Sequence, residues 1–187
     1  MKDKLTRKAK REGYNARSAY KLLQLNDKYN LIKKDDRVLD LGCWPGSWLQ
    51  VCWKKGCECV GVDLRKTNLR LSNVKTYQLD VFSDNFFDII NEKFDVVLSD
   101  MAPNTSGNIE IDQFKSYELS ERALEIAKKV LKENGNFLVK IFQSDESNDL
   151  LKKMRKSFKF VKSTKPVSSK KGSKEIYFIG IGSGLIR

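Results

Sequence analysis

The sequence predicts one α/β domain: an open, mostly parallel seven-stranded sheet with helices on both faces and one antiparallel strand near its end. Short runs rich in β-branched residues alternate with longer segments of helical periodicity, which is typical of a parallel sheet. The last two strand segments lack a helix between them. A length of 187 residues fits a single domain, 1–187, and no repeat or linker divides the chain.

Seven short apolar segments are predicted to be strands buried on both faces of the sheet. They are residues 37–41, 58–62, 74–79, 94–99, 136–141, 158–163 and 175–181. No helix-length segment separates the last two, and the intervening loop contains Pro166 and Gly172. Because a parallel pair needs a longer crossover, we expect these two strands to be antiparallel.

Helical periodicity is present in five of the intervening segments, at residues 17–29, 45–54, 84–91, 111–132 and 145–157. The fourth is the longest, with apolar residues spaced by three or four positions, and Gly135 indicates where it stops. Residues 1–13 are expected to form a basic N-terminal arm.

The formal net charge of +12 is unevenly distributed. Residues 1–21 carry +6, residues 152–174 carry +10 without a single acid, and the remainder is slightly acidic. Clustered cations gain free energy by releasing counterions from phosphates, so this distribution favours a nucleic-acid partner. The alternative is that these are solvated, solubilising faces.

The chain contains four cysteines (Cys43, Cys52, Cys57 and Cys59) and no histidine. The cysteine spacings match no usual zinc pattern, so we expect buried thiols and no metal. No segment reaches the about 20 apolar residues of a membrane span, and no apolar core follows the basic N-terminus. We therefore expect a cytoplasmic monomer without membrane contact.

A glycine-containing loop follows the first predicted strand, with the sequence D-L-G-C-W-P-G-S-W from Asp40 to Trp48. Its glycines, Gly42 and Gly46, allow close approach of a ligand, and their spacing differs from the G-x-G-x-x-G of dinucleotide sites. Asp63 follows the second strand and is placed to accept hydrogen bonds from ribose hydroxyls, and Asp80 could reach an adenine amino group. These acids suit a cationic cofactor, and we expect S-adenosyl-L-methionine.

Charged residues also lie at the ends of other predicted elements. Asp100 opens the polar loop D-M-A-P-N-T-S-G, Lys140 interrupts an apolar strand, Glu175 opens the last strand, and Lys21 lies on an early helix. If these ends converge, they form a Lys-Asp-Lys-Glu cluster. A lysine of ordinary pKa, about 10.4, cannot accept a proton at neutral pH, whereas burial and a neighbouring cation lower such a value. Lys140 is then the expected base or orienting group, although the sequence leaves open which lysine is deprotonated.

Five sequence blocks carry a resemblance to a known family: R-S-A-Y-K-L, D-L-G-x-x-P-G-x-W, S-D-M-A-P-N-x-S-G, F-x-V-K-x-F-Q and S-x-E-x-Y. Together they resemble the FtsJ/RrmJ family of ribosomal RNA 2′-O-methyltransferases over residues 14–182. The resemblance implies a Rossmann-like methyltransferase fold, with a catalytic tetrad and cofactor contacts. The implied tetrad is Lys21, Asp100, Lys140 and Glu175. The implied cofactor contacts are Gly46, Trp48, Asp63, Asp80 and Asp100, to which the loop itself adds Asp40 and Gly42.

The cofactor loop departs from the family at Trp44, where a small residue is common, and at Ser47, where glycine is common. The segment between Asp63 and Asp80 is also short, which puts the adenine contact of Asp80 in doubt. Both loop glycines remain.

The substrate implied by the resemblance is large-subunit ribosomal RNA, methylated on a uridine ribose, because the D-M-A-P-N-T-S-G loop resembles the ribosomal branch of the family. Transfer RNA is the alternative within the family. A cap-specific enzyme usually needs a longer chain. A non-catalytic RNA-binding ribosome-assembly factor is a different class, and the intact Lys-Asp-Lys-Glu set argues against it. A nicotinamide-dependent oxidoreductase lacks support because G-x-G-x-x-G is absent. The residues alone leave the target nucleotide open, and whether free RNA or an assembled subunit is bound.

Overall fold

The computed structural model describes residues 4–169 and 172–184. Seven strands form one sheet in the order β3-β2-β1-β4-β5-β7-β6. The strands are β1 (Arg37–Leu41), β2 (Glu58–Asp63), β3 (Val74–Gln78), β4 (Phe94–Ser99), β5 (Leu131–Phe142), β6 (Phe158–Thr164) and β7 (Glu175–Ser183). All seven correspond to predicted segments.

The last strand, β7, lies antiparallel between β5 and β6. The pairs from β3 across to β5 are all parallel. The predicted fold class, a mostly parallel seven-stranded sheet with one antiparallel strand near its end, is therefore confirmed. The hairpin connection of β6 and β7 also reverses β7 relative to β5, so that β7 begins where β5 ends.

Residues 4–169 and 172–184 contain six helices: α1 (Lys4–Arg11), α2 (Ala19–Tyr29), α3 (Ser47–Lys54), α4 (Phe86–Ile89), α5 (Ile109–Val130) and α6 (Asp145–Arg155). The predicted stop of α5 at Gly135 is wrong. The helix ends at Val130, and the chain enters β5 directly at Leu131, whose backbone is already extended. Asn134, with a positive φ, and Gly135 therefore lie inside a long irregular strand rather than at a helix terminus.

Within the predicted basic N-terminal arm, residues 4–11 fold as the helix α1 and dock on the domain. Ala9 is buried beneath this helix. The carboxylate of Glu12 accepts a hydrogen bond of 2.7 Å from the Tyr20 hydroxyl, and its carbonyl oxygen accepts one of 3.1 Å from Lys54 Nζ. These contacts hold α1 beside α2 and α3, so its exposed basic side chains are displayed at this place on the surface. Residues 1–3 of the predicted arm lie outside the described residues.

Two apolar layers cover the two faces of the sheet. Leu39, Val97 and Phe137 pack with α5 and α6 on one face, whereas their strand neighbours Val38 and Leu98 pack with α2 and α3 on the other. This alternation follows from the strand period of two. The predicted buried thiols are confirmed, because all four cysteines are free and lie in the second layer.

Two further features of the described part of the chain bear on function. It contains no group of three or more cysteine, aspartate or glutamate side chains that could hold a metal ion. None of its helices combines the length and the apolar character that crossing a membrane requires.

Gly180 allows β7 to pack closely against β6. A Cβ atom at this position would lie 2.6 Å from Cγ of the buried Phe158 ring. We expect Gly180→Ala to lower the free energy of unfolding by about 1–3 kcal/mol, because the ring has no room to move away in a filled core. Urea unfolding measures the change. Lys162→Ala, an exposed substitution on β6, is the control and should change stability by less than about 0.5 kcal/mol. Equal stability of Gly180→Ala and the wild type would contradict this packing.

Candidate active site

The predicted tetrad residues come from four different elements that meet at one edge of the sheet. Asp100 directly follows β4, Lys140 lies near the carboxyl end of β5, and Glu175 is the first residue of β7. These three side chains continue the strand alternation of the face that α2 covers, and α2 contributes Lys21 in its first turn. The antiparallel direction of β7 is what places its first residue beside the last residues of β5.

The four side chains form a continuous chain of contacts. Lys21 Nζ donates a hydrogen bond of 2.7 Å to Glu175 Oε2, and Glu175 Oε1 lies 3.9 Å from Lys140 Nζ. Lys140 Nζ in turn donates to the backbone oxygen of Asp100 at 2.7 Å and lies 3.2 Å from its Oδ1 atom. The structure therefore brings together all four residues that the sequence placed in a Lys-Asp-Lys-Glu cluster.

Burial makes these contacts strong. The side chain of Lys140 is only 4% exposed, against 24% for Glu175. Burial raises the pKa of Glu175, but the hydrogen bond from Lys21 and the positive charges of Lys21 and Lys140 outweigh it, so this pKa lies below its ordinary value. Glu175 is therefore ionised at neutral pH and bridges the two lysines.

Tyr177 is a fifth member of the cluster that the sequence reasoning did not identify. Its hydroxyl donates a hydrogen bond of 2.9 Å to Asp100 Oδ1. Burial, together with the charges of Asp100 and Glu175, raises the pKa of Tyr177 well above its ordinary value, so the hydroxyl keeps its proton as a donor. The strand period was the available signal, because Tyr177 is two residues after Glu175 and therefore lies on the same face.

A cavity of 410 Å³ opens beside the tetrad. Four of the predicted cofactor residues line it: Gly42, Asp63, Asp80 and Asp100. Asp100 thus belongs both to the cavity wall and to the tetrad. Gly42 has a φ of 78°, and a Cβ atom there would lie 2.7 Å from the Met101 side chain, so the wall at this point requires glycine.

The carboxylate of Asp63 organises the wall. Its Oδ2 atom accepts a hydrogen bond of 2.9 Å from the backbone nitrogen of Trp44, and its Oδ1 atom accepts one of 2.8 Å from that of Arg65. Asp80 accepts a hydrogen bond of 2.9 Å from the backbone nitrogen of Phe82. Both carboxylates are thus oriented by the chain itself.

Three other predicted cofactor residues do not line this cavity in the described part of the chain. Trp48 is buried beneath it, with its indole nitrogen donating to the carbonyl oxygen of Ser18 at 2.9 Å. Gly46 is covered by Leu69, which a Cβ atom would meet at 2.3 Å. Cofactor contacts of Trp48, Gly46 and Asp40 stay predictions, and Trp48 itself packs in the core layer that α2 and α3 cover.

Asp40 carries a buried carboxyl group whose two oxygens have no hydrogen-bond partner in the described residues. Burial, and then the negative charges of Asp100 and Asp63, raise the pKa of Asp40 well above its ordinary value. The cavity wall itself carries three acids, Asp63, Asp80 and Asp100, which disfavour an anionic ligand and favour a cationic one with hydrogen-bond donors. A positively charged sulfonium compound with an amino group fits this donor set.

The acidic cavity lies at the carboxyl edge of an open α/β sheet and next to the Lys-Asp-Lys-Glu cluster. Together with the antiparallel strand beside β5, these features define the class of Rossmann-like methyltransferases. Comparison with known proteins agrees with this class. Residues 14–183 match the model of the FtsJ-like methyltransferase family. The chain therefore belongs to the FtsJ-like methyltransferase family and is a methyltransferase.

Several relatives cover nearly the whole chain. A protein of Methanothrix thermoacetophila named ribosomal RNA large subunit methyltransferase E is 46% identical over 96% of this chain and 72% of its own length. A protein of the same name from Wolbachia pipientis is 38% identical and is covered over 96% of its length. A structure from Plasmodium falciparum, described as a ribosomal RNA methyltransferase, superposes with a TM-score of 0.80 at 30% identity, over 91% of this chain and 98% of that one.

The ionised Glu175 makes the stability of this site depend on pH. Because its pKa in the folded protein is below the ordinary value of 4.5, its ion pairs stabilise the fold above that pH and are lost as the pH falls through the folded value. We expect Glu175→Gln to lower the free energy of unfolding by about 1–3 kcal/mol at pH 7 and the difference from wild type to shrink below about pH 4. Urea unfolding from pH 7 to pH 3 measures it.

The control for this measurement is Glu118→Gln, at an exposed position on α5, which should change stability by less than about 0.5 kcal/mol throughout. A difference between wild type and Glu175→Gln that stays constant down to pH 3 would contradict the pairing.

Proposed function

We propose that the protein transfers the methyl group of S-adenosyl-L-methionine to a ribose 2′-hydroxyl of large-subunit ribosomal RNA. The observation that carries the proposal is the buried Lys140, which lies between Asp100 and Glu175 and shares Asp100 with the adjoining cavity. Asp100 thus connects the cavity, which could hold a methyl donor, with Lys140, which could bind a hydroxyl group and accept its proton.

In this proposal the cavity holds the cofactor, which supplies an electrophilic methyl group on a sulfonium. Asp63 would bind the ribose hydroxyls and Asp80 the adenine. Asp100 would compensate the positive charges of the sulfonium and the amino group, and the buried carboxyl group of Asp40 would offer hydrogen-bond acceptors to them. The acidic wall and the unpartnered oxygens of Asp40 support this arrangement.

The tetrad would act on the attacking hydroxyl. A ribose hydroxyl is a weak nucleophile, so transfer needs alignment with the methyl group and a nearby proton acceptor. Lys140 would orient the hydroxyl and, after giving up its own proton to solvent, would receive the hydroxyl proton as a neutral amine. Asp100 and Tyr177 fix the position of Lys140 through the contacts described above. Lys21 and Glu175, the more exposed pair, would hold the substrate ribose.

The RNA substrate is supported by the names of the relatives and by the surface charge. The proteins from Methanothrix and Wolbachia are named for the large ribosomal subunit. The helix α1 presents basic side chains next to α2, which carries Lys21, and Lys174 directly precedes Glu175. Such cations position an RNA backbone without reading its sequence. The proposed enzyme works as a single-domain monomer in the cytoplasm, on a uridine.

Lys140→Ala tests the catalytic proposal. We expect the transfer rate to fall by about 10²–10⁴-fold, the usual contribution of a positioned acid–base group, with cofactor affinity changed less than twofold. The assay supplies methyl-labelled S-adenosyl-L-methionine and three RNAs: large ribosomal subunits lacking the modification, free ribosomal RNA and transfer RNA. Lys75→Ala, an exposed lysine on the edge strand β3 and outside both basic segments, is the matched control and should retain full activity.

The position of the label distinguishes the outcomes of this assay. Label recovered as 2′-O-methylribose in ribosomal material, and lost with Lys140→Ala, supports the proposal. Label found only in transfer RNA retains the chemistry and contradicts the substrate. Cofactor binding without transfer to any RNA would favour a non-catalytic RNA-binding factor, and absence of cofactor binding would contradict the methyltransferase mechanism.

RNA affinity should depend steeply on salt. We expect the logarithm of the association constant to fall linearly with the logarithm of salt concentration, with a slope reduced by about 1 in Lys174→Ala, since each phosphate contact releases about one counterion. Filter binding at about 50–300 mM salt, a range that includes the physiological ionic strength, measures the slope. Lys75→Ala, at an exposed position on the edge strand β3, is the control. An unchanged slope in Lys174→Ala would exclude this phosphate contact.

A further inference from the structure

Two large side chains of the cavity wall have no part in the proposed chemistry. Trp44 lies in the loop between β1 and α3, and Arg65 follows β2, and both line the 410 Å³ cavity. The guanidinium carbon of Arg65 lies 4.7 Å from the centre of the Trp44 ring. This distance is within the range of a cation–π contact, so the two side chains form a stacked pair.

The stacked pair is built by the backbone rather than by chance contact. The backbone nitrogens of Trp44 and Arg65 each donate to a different oxygen of the Asp63 carboxylate. The Asp63 side chain thus holds two loops at the same point and brings the Arg65 guanidinium over the Trp44 ring. The pair therefore has a defined place on the side of the cavity where Asp63 lies.

Trp44 differs from the other tryptophans in its exposure. Trp48 is 2% exposed, whereas Trp44 is 48% exposed. The indole nitrogens of Trp48 and Trp53 donate to Ser18 and Ser72, and no such bond of the Trp44 indole occurs within residues 4–169 and 172–184. The adjacent wall residue Leu64 is 66% exposed. Part of the wall of this ligand cavity is thus apolar and aromatic and is exposed to solvent. A flat ring system bound in the cavity would cover that part of the wall.

We propose that Trp44 and Arg65 form a cover over the nucleoside half of the cofactor and thereby set how long it stays bound. This inference rests on the proposed function. Asp63 would bind the ribose from one side, and the pair that it organises would shield the ribose and the adjoining base from solvent. The sulfonium and amino-acid half would then be bound by Asp100, the wall residue that the cavity shares with the Lys-Asp-Lys-Glu cluster.

The cover predicts a specific pattern of affinities. S-adenosylmethionine, S-adenosylhomocysteine and 5′-methylthioadenosine share the nucleoside and differ in the other half. Trp44→Ala should therefore weaken all three by a similar factor, about tenfold, which corresponds to about 1.4 kcal/mol. Arg65→Ala should weaken them by a smaller factor, about threefold, and Trp44→Phe should recover most of the loss. The faster dissociation should account for most of each change.

Titration calorimetry and stopped-flow dissociation with the full chain test these expectations, and thermal unfolding verifies that each variant is folded. Phe160→Ala is the matched control, because Phe160 is 47% exposed on β6 and lies outside the cavity wall. An equal factor for the three ligands, with Phe160→Ala unchanged, supports the cover. Weakening of the two amino-acid-bearing ligands alone, or an unchanged affinity for all three, overturns it.

The same variants distinguish the cover from an RNA contact. If Trp44→Ala raises the KM for RNA and leaves all three affinities unchanged, the pair binds substrate and the cover is overturned. If the wild-type protein binds none of the three ligands, the proposed function itself fails, which is a different result from loss of binding only in Trp44→Ala.

Discussion

A lysine buried at the end of a central strand constrains the whole carboxyl edge of this sheet. The terminal nitrogen of Lys140 has lost nearly all contact with water, and a buried polar group without partners is costly whether or not it carries a charge. Its partners must therefore come from the protein. They are supplied by the residue after β4 and by the first residue of β7. The antiparallel insertion of β7 beside β5 is what makes the second of these available.

The same need for partners applies to the two acidic residues that contact Lys140. Glu175 is itself half-buried and is balanced by Lys21, which ties α2 to the sheet. Asp100 is held by Tyr177 on one side and borders the cavity on the other. A change at any of these groups alters the electrostatic environment of the rest, because the contacts form one connected network at low exposure. In the proposed mechanism, this network would link the place of the methyl donor to the place of its acceptor.

Much of this arrangement could be predicted from the sequence, since simple rules fix it. Parallel strands end at one edge, so Asp100 after β4 and Lys140 near the end of β5 were expected to meet there. The alternation of side chains along each strand selected the face of the sheet. The remainder depended on tertiary packing. The helix α1 shows mainly charge and little apolar pattern, so its docking through Glu12 was not visible. Trp48 occupies a motif position but points into the core, because side-chain direction in a loop follows no period.

The contact between Lys21 and Glu175 joins residues 154 positions apart in the chain. Glu175 also belongs to the last strand of the sheet, and that strand is required before β6 can pair. During synthesis, the cavity loops after β1, β2 and β4 emerge from the ribosome long before this strand does. A growing chain can thus present the cavity loops early, whereas the contacts of Lys21 and Lys140 with Glu175 stay unmade until β7 has been inserted. The order of the strands in this fold therefore makes the Lys-Asp-Lys-Glu cluster the last part of this sheet edge to be completed.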